Sequence, residues 1–123
     1  MSPALKTKDS LRHAPLCEAL GVTAQAIILQ FLQMNRDIDY TLNEIEKGTG
    51  IRRHTISRAL PSLMRFNLVI INREIGQAPL YKYNVDSKVA KLYNPFYEYL
   101  LETMTVEKTE EGAEEKLSGI TID

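Results

Sequence analysis

The sequence predicts a mostly α-helical fold that carries one small β-hairpin, and three observations favour it. Apolar residues recur at helical spacing from about Thr23 to Met34. The segment Thr41-Leu42-Asn43-Glu44 has the pattern of a helix capping box, and Gly48-Thr49-Gly50 soon after it marks a tight turn. Two runs rich in Val, Ile and Tyr, at 68–73 and 80–85, are separated by turn-forming residues.

Two helices are expected before the capping box. Ala14-Pro15 can open a short first helix, because proline suits a first helical turn, and Gly21 can close it. The helix over 23–34 has one apolar stripe for a core. We expect its other side to expose Gln25, Gln30 and Gln33.

The capping box predicts a third helix that starts at Thr41. The Thr41 hydroxyl can accept a hydrogen bond from the backbone N–H near Glu44, whose carboxylate can reach back to the Thr41 N–H. This helix must end by Gly48-Thr49-Gly50, where two glycines favour positive φ.

A fourth helix is expected from about 53 to 66. Its buried stripe holds Ile56, Leu60 and Leu63. Pro61 cannot donate to the carbonyl of Ser57, which predicts a kink or a loosened turn. Asn67 follows at the helix end, where a left-handed conformation is common and asparagine tolerates it.

The last third of the chain is predicted to hold the hairpin and a terminal helix. Residues 68–73 and 80–85 form the strands, joined by a loop of about six residues at 74–79. One or two helical turns are possible at 88–93, and Asn94-Pro95 predicts a separate helix up to Met104. That helix is too apolar to lie alone on a surface.

Composition and charge divide the chain. It has 123 residues, of which 44% are hydrophobic and 25% are charged, as in an ordinary soluble domain. We expect a flexible tail at 1–10, one domain at 11–104, and a disordered tail at 105–123, where acidic residues outnumber lysines. No acid lies between Glu46 and Glu74. That interval contains Lys47, Arg52, Arg53, Arg58, Arg65 and Arg73. A local basic zone on a chain of net charge −1 favours a directed anionic partner.

The order of the elements is that of a winged helix-turn-helix domain with N- and C-terminal helices. The segment IRRHTISRAL at 51–60, followed by Asn67-Leu68-Val69, resembles the recognition-helix segment of the MarR and ArsR superfamilies and their archaeal relatives. The segment YKYNVDS at 81–87 resembles their second wing strand. Asn67 stands where those families have glycine. The resemblance covers about 23–100 and implies a transcriptional regulator that binds double-stranded DNA.

This resemblance and the helix pattern together predict a DNA-binding surface. A major groove admits one α-helix, so side chains opposite the buried stripe near the start of the helix at 53–66 can reach bases or phosphates. The residues expected there are Arg52, Arg53, His54, Thr55, Ser57 and Arg58. Thr41, at the start of the preceding helix, is placed for a phosphate. The wing at 68–85 is expected to reach flanking backbone or the minor groove through Arg73, Gln77 and Lys82.

A homodimer is expected, with an interface made by the first helix and the terminal helix. The interface residues are predicted to be Leu16, Leu20, Phe96, Tyr97, Tyr99, Leu100 and Met104. Tyr93, Phe96, Tyr97 and Tyr99 could instead line a ligand pocket, although a dimer core is the commoner fate of such a stripe. The sequence does not specify a small-molecule effector.

The main alternative is a winged helix that binds protein within a transcription or replication assembly. We expect no enzyme and no cofactor, because the chain lacks a P-loop, a G-x-S-x-G segment and a two-histidine zinc motif. His13, His54 and Cys17 lack the spacing of metal ligands, so no metal site is expected. A single cysteine, no membrane-length apolar run and no signal-peptide pattern favour the cytoplasm.

Overall fold

A computed structural model describes residues 7–114 of the chain, and their side chains from 9 to 109. The fold is mostly α-helical with one two-stranded antiparallel hairpin, as the sequence predicts. Its elements are α1 (Thr7–Ser10), a 3-10 turn (Leu11–His13), α2 (Pro15–Leu20), α3 (Ala24–Met34), α4 (Leu42–Thr49), α5 (Arg53–Arg65), β1 (Val69–Ile75), β2 (Ala78–Tyr83) and α6 (Lys88–Glu114). None of the described helices has the length and apolar character needed to cross a membrane.

Helix α3 lies at the centre of the core and packs against α2, α4, α5 and β2. Its apolar residues Ile28 and Leu32 are fully buried, but so is Gln30, and Gln33 is nearly so. The prediction that these two glutamines are exposed was therefore wrong. The helix is surrounded on more sides than one apolar stripe implies.

Gln30 is buried because it caps α2 from a distance. The residue before α2, Ala14, has no side-chain oxygen for the first backbone N–H groups of that helix. Gln30 Oε1 accepts from Leu16 N at 2.7 Å and from Cys17 N at 3.4 Å. Its Nε2 donates to Leu11 O at 3.0 Å. One glutamine thus serves three backbone groups, and two of them, the N–H groups of Leu16 and Cys17, lie at a helix start that has no side-chain cap of its own.

The capping box at the start of α4 is confirmed. Glu44 N donates to Thr41 Oγ1 at 3.1 Å, and Thr41 N donates to Glu44 Oε1 at 2.9 Å. At the other end, Gly50 adopts the left-handed conformation with φ of 79°. Gly48 does not: it lies within the helix, where an added Cβ would overlap the ring of Phe31. The two glycines therefore have different tasks, one in the turn and one in helix packing.

Helix α5 ends in a Schellman motif. Asn67 has φ of 64°, as predicted, its N–H donates to Met64 O at 3.0 Å, and Leu68 N donates to Leu63 O at 2.9 Å. The helix continues through Pro61, which is exposed. This ending fixes the direction in which the chain leaves α5 and enters β1.

The hairpin is tighter than predicted. Glu74 pairs with Pro79 and Ile75 with Ala78, so only Gly76 and Gln77 form the turn instead of a loop of about six residues. Gly76 has φ of 65°, which suits the first position of a two-residue hairpin turn. The other four residues of the expected loop, Glu74, Ile75, Ala78 and Pro79, are in fact the ends of the strands.

Helix α6 is one continuous helix, and the predicted new start at Asn94-Pro95 was wrong. Ser87 caps it, since Ala90 N donates to Ser87 Oγ at 3.0 Å. Asn94 Oδ1 accepts from Tyr83 OH at 2.7 Å, so its side chain ties α6 to β2 and does not begin a helix. The helix runs past Met104 to Glu114, into the segment expected to be a disordered tail.

The expected tails are only partly described. Thr7–Ser10, within the tail predicted at 1–10, is helical. Residues 1–6 and 115–123 lie outside the described part of the chain.

Candidate nucleic-acid interface

Helix α5 has an apolar face turned inward and a polar face turned to solvent. Ile56, Leu60 and Leu63 are buried, as the periodicity predicts. The exposed residues near the start of the helix are Arg52, Arg53, His54, Ser57 and Arg58, and Thr55 is half-buried at the edge. Pro61 belongs to the same exposed side as His54, Ser57 and Arg58, one helical turn further on. All five exposed residues were predicted to face a duplex.

None of the arginines of this face forms an ion pair with a carboxylate of the described residues. The ion pairs among the described residues are His13–Glu18 at 3.4 Å and Arg73–Asp39 at 2.8 Å. Arg53 Nη2 donates to a neutral group, the Asn43 amide oxygen, at 3.3 Å. Within the described part of the chain, the positive charge at the start of α5 thus has no anionic partner.

The backbone at the start of α5 adds to this positive potential. Arg52 occupies the N-cap position and makes no side-chain capping bond, since arginine carries no acceptor. The first N–H groups of the helix are left without a side-chain cap, as at helix ends that bind phosphate.

The turn before α5 holds the face in a fixed orientation. Thr49 is fully buried; its Oγ1 donates to Ile45 O at 2.7 Å and accepts from Ile51 N at 3.1 Å. Ile51 is buried next to it, and α5 packs against both α3 and α4. The sequence carries no direct signal for this role of Thr49, because threonine is also common in turns that are exposed to solvent.

Thr41 is less suited to a phosphate than its position suggests. Its hydroxyl accepts from Glu44 N in the capping box, and the carboxylate of Glu44 accepts from Thr41 N. The start of α4 therefore already holds an anion of its own.

On the wing, the predicted contact residues differ in availability. Gln77 is exposed in the turn, and Lys82 is half-buried. Arg73 is held by Asp39: Nε donates to Oδ2 at 2.8 Å and Nη2 to Oδ1 at 3.3 Å. These bonds, with one from Asn72, lower the pKa of the Asp39 carboxyl to about 2 and raise that of Arg73. Sequence reasoning missed this pair because the partners are 34 positions apart.

The residues predicted for a dimer interface divide into two groups. Leu20, Phe96 and Tyr99 are exposed, and Leu100 and Met104 are half-buried. Leu16 and Tyr97 are instead buried by the core of the protomer, which leaves them little surface for a second copy. Leu16 and Tyr97 are therefore not expected to contact a second copy of the chain.

Two further exposed apolar residues of α6, Leu92 and Val106, extend the part of the predicted interface that is exposed. Leu92 is 69% exposed, Phe96 44%, Tyr99 64% and Val106 49%. With Thr103 they are separated by alternating steps of four and three residues, the heptad spacing of a helix that packs along another helix. Reading the sequence as one helix through Pro95 would have revealed this stripe.

Of the residues proposed as an alternative pocket lining, Tyr93 packs against Phe96 and Tyr97, whereas Tyr99 is exposed. Tyr93 lies with its ring centroid 6.4 Å from Tyr83, 6.4 Å from Phe96 and 6.0 Å from Tyr97. Burial raises the pKa of Tyr93 and raises that of Tyr83 to about 12, so both are neutral phenols at ordinary pH. In the described part of the chain, no three His, Cys, Asp or Glu side chains gather as a metal site requires.

Comparison with protein-family models and with curated proteins finds no match for this chain. The resemblance to the MarR and ArsR superfamilies therefore rests on the residues quoted from the sequence.

Proposed function

We propose that this protein is a transcriptional regulator that binds double-stranded DNA in a sequence-specific manner. Its fold would be a winged helix-turn-helix of the MarR/ArsR-like kind, in which α5 enters the major groove and the β1–β2 hairpin is the wing. The cytoplasm is the compartment that this function implies.

One observation supports the proposal above the others: the polar face at the start of α5. It combines exposed arginines with no carboxylate partner in the described chain and an uncapped helix start. Phosphates are bound by such helix starts, and guanine is read by bidentate arginine contacts worth about 1–3 kcal/mol each in discrimination. A helix face that only contacts water does not require both exposed arginines and an uncapped helix start.

The active form would be a homodimer held by α6. The stripe of Leu92, Phe96, Tyr99 and Val106 is apolar and exposed in the single chain. Burying such a stripe against the same stripe of a second copy is favourable, at about 25 cal/mol per Å² of apolar surface. Leu20 is exposed too and would extend this interface.

A twofold dimer would present two α5 helices to one face of the duplex. Their targets would be half-sites about 34 Å apart, which is one turn of B-form DNA. The expected operator is therefore a pseudo-palindrome.

Selection of bound duplexes from a random pool tests this function. We expect an enriched pseudo-palindrome whose affinity falls steeply with salt, because phosphate contacts release counterions. Recovery of no enriched duplex, or binding that ignores salt, would contradict the proposal. A saturable protein partner with salt-independent affinity would then favour the protein-interaction alternative.

A further inference from the structure

The linker between α3 and α4 holds both strands of the hairpin. The backbone of Tyr40 pairs with Tyr81 of β2: Tyr40 N donates to Tyr81 O at 2.8 Å, and Tyr81 N donates to Tyr40 O at 2.7 Å. The side chain of the preceding residue, Asp39, binds β1 through Asn72 and Arg73. Two consecutive residues thus fasten the two strands by different means.

A β-bulge in β1 makes the side-chain contact possible. The register shifts between Ile71 and Arg73, which leaves Asn72 without a cross-strand partner. Successive side chains of a regular strand point to opposite faces, and a bulge breaks that alternation. Asn72 Nδ2 and Arg73 Nε both donate to Asp39 Oδ2, at 2.9 and 2.8 Å.

The two partners differ sharply in exposure. The Asp39 side chain is 10% exposed, whereas that of Arg73 is 58% exposed. The carboxylate therefore has little side-chain surface left for solvent, and it accepts three hydrogen bonds from residues of β1.

We infer that Asp39 is a positioning residue for DNA recognition: it sets the place of the wing relative to α5. This inference rests on the proposed function. Asp39 stands two residues before Thr41, the N-cap of α4, and α4 packs against α5. The linker that holds Asp39 is therefore joined to the wing through Asp39 and to the α4–α5 pair through Thr41.

Electrostatics and positioning predict opposite effects for removal of this acid. An acidic group near a duplex repels phosphate, so removing it should strengthen binding if charge alone matters. Loss of wing position should instead weaken binding to the selected duplex while leaving nonspecific binding intact.

The test compares Asp39→Ala with Asp37→Ala, each measured on the selected duplex and on a scrambled duplex. Asp37 is an exposed acid of the same linker, so its removal makes the same change in charge. We expect Asp39→Ala to weaken binding to the selected duplex about tenfold and to leave the scrambled duplex bound at least as well as by wild type. Asp37→Ala is expected to weaken binding to neither the selected duplex nor the scrambled duplex.

Arg73→Ala and the double variant Asp39→Ala/Arg73→Ala complete the design. If the pair acts through position, Arg73→Ala matches Asp39→Ala, and the double variant loses no more than either single variant. Asp39→Asn, which keeps one acceptor oxygen for Arg73, should give an intermediate loss.

Three results would overturn the inference. One is that Asp39→Ala binds the selected duplex as tightly as Asp37→Ala does. Another is an equal loss on both duplexes, which is what a smaller folded fraction produces. The third concerns the slope of log affinity against log salt concentration. If this slope is shallower by about 0.9 in Arg73→Ala than in the wild type, a phosphate contact has been lost. Failure of the wild-type protein to bind any duplex would overturn the proposed function as well.

Discussion

At the scale of single residues, buried polar groups have tasks that their local sequence does not reveal. Gln30 and Thr49 are both fully buried, and each satisfies backbone groups of another segment or of a turn. A periodicity argument assigns a glutamine to solvent because it counts hydrophobicity alone. The partner of Gln30 is the start of α2, which is 14 positions away in the chain. Only the folded arrangement brings the two together.

Replacing Gln30 with leucine is expected to lower the free energy of unfolding by about 2–4 kcal/mol, because buried backbone N–H groups lose their acceptor. Gln25→Leu is the matched control, since Gln25 is exposed on the same helix and its replacement should change stability by less than about 0.5 kcal/mol. Urea unfolding of both variants measures the difference. Equal stability of the two variants would show that the cap from α3 contributes nothing.

The Asp39 carboxyl gives a second prediction at this scale. Its pKa is lowered from 3.8 to about 2 in the folded protein, chiefly by the hydrogen bonds from Arg73. The stabilisation that follows is present above the unfolded value and is lost as the pH falls towards 2. NMR titration of the Asp39 carboxyl should show its pKa rising towards 3.8 in Arg73→Ala. An unchanged, low pKa in that variant would mean that other groups hold the charge.

At the scale of elements, the sequence predicted the helices that begin and end with local signals. The capping box of α4 and the left-handed Asn67 after α5 were predicted correctly, because both depend on residues within one turn of each other. The prediction failed where a distant contact competes with a local signal. Asn94-Pro95 is a common helix start, but Asn94 instead binds Tyr83. Likewise, the loop was predicted too long because Glu74 and Pro79 pair across the hairpin.

Gly48 makes a prediction about helix packing. Replacement of a helical glycine by alanine normally stabilises a helix by roughly 0.5–1 kcal/mol. Here the new Cβ would overlap the Phe31 ring, so Gly48→Ala should destabilise the protein, by about 1–3 kcal/mol. Thermal unfolding of Gly48→Ala beside Lys47→Ala, an exposed neighbour, checks the sign. A gain in stability for Gly48→Ala would contradict the close packing of α3 on α4.

At the scale of the whole molecule, the proposed function needs two copies of the chain. The double substitution Leu92→Glu/Tyr99→Glu puts charges on the exposed stripe of α6 and should yield a folded monomer, because both side chains are largely exposed in the single chain. Light scattering after size exclusion measures the mass. The matched control, Lys91→Glu, makes the same change in net charge at an exposed polar position of the same helix and should remain dimeric. A wild-type protein that is monomeric at micromolar concentration would remove the dimer from the account.

The central claim is that the polar face at the start of α5 meets DNA. The most direct test is the affinity of Arg53→Ala/Arg58→Ala for the selected duplex, beside Arg65→Ala/Lys91→Ala, which removes the same charge from exposed positions away from the start of α5. The account predicts a loss of at least about thirtyfold for the first pair, since each specific arginine contact is worth about 1–3 kcal/mol. It predicts only a small, salt-dependent loss for the second pair. Equal affinities of the two double variants would contradict it.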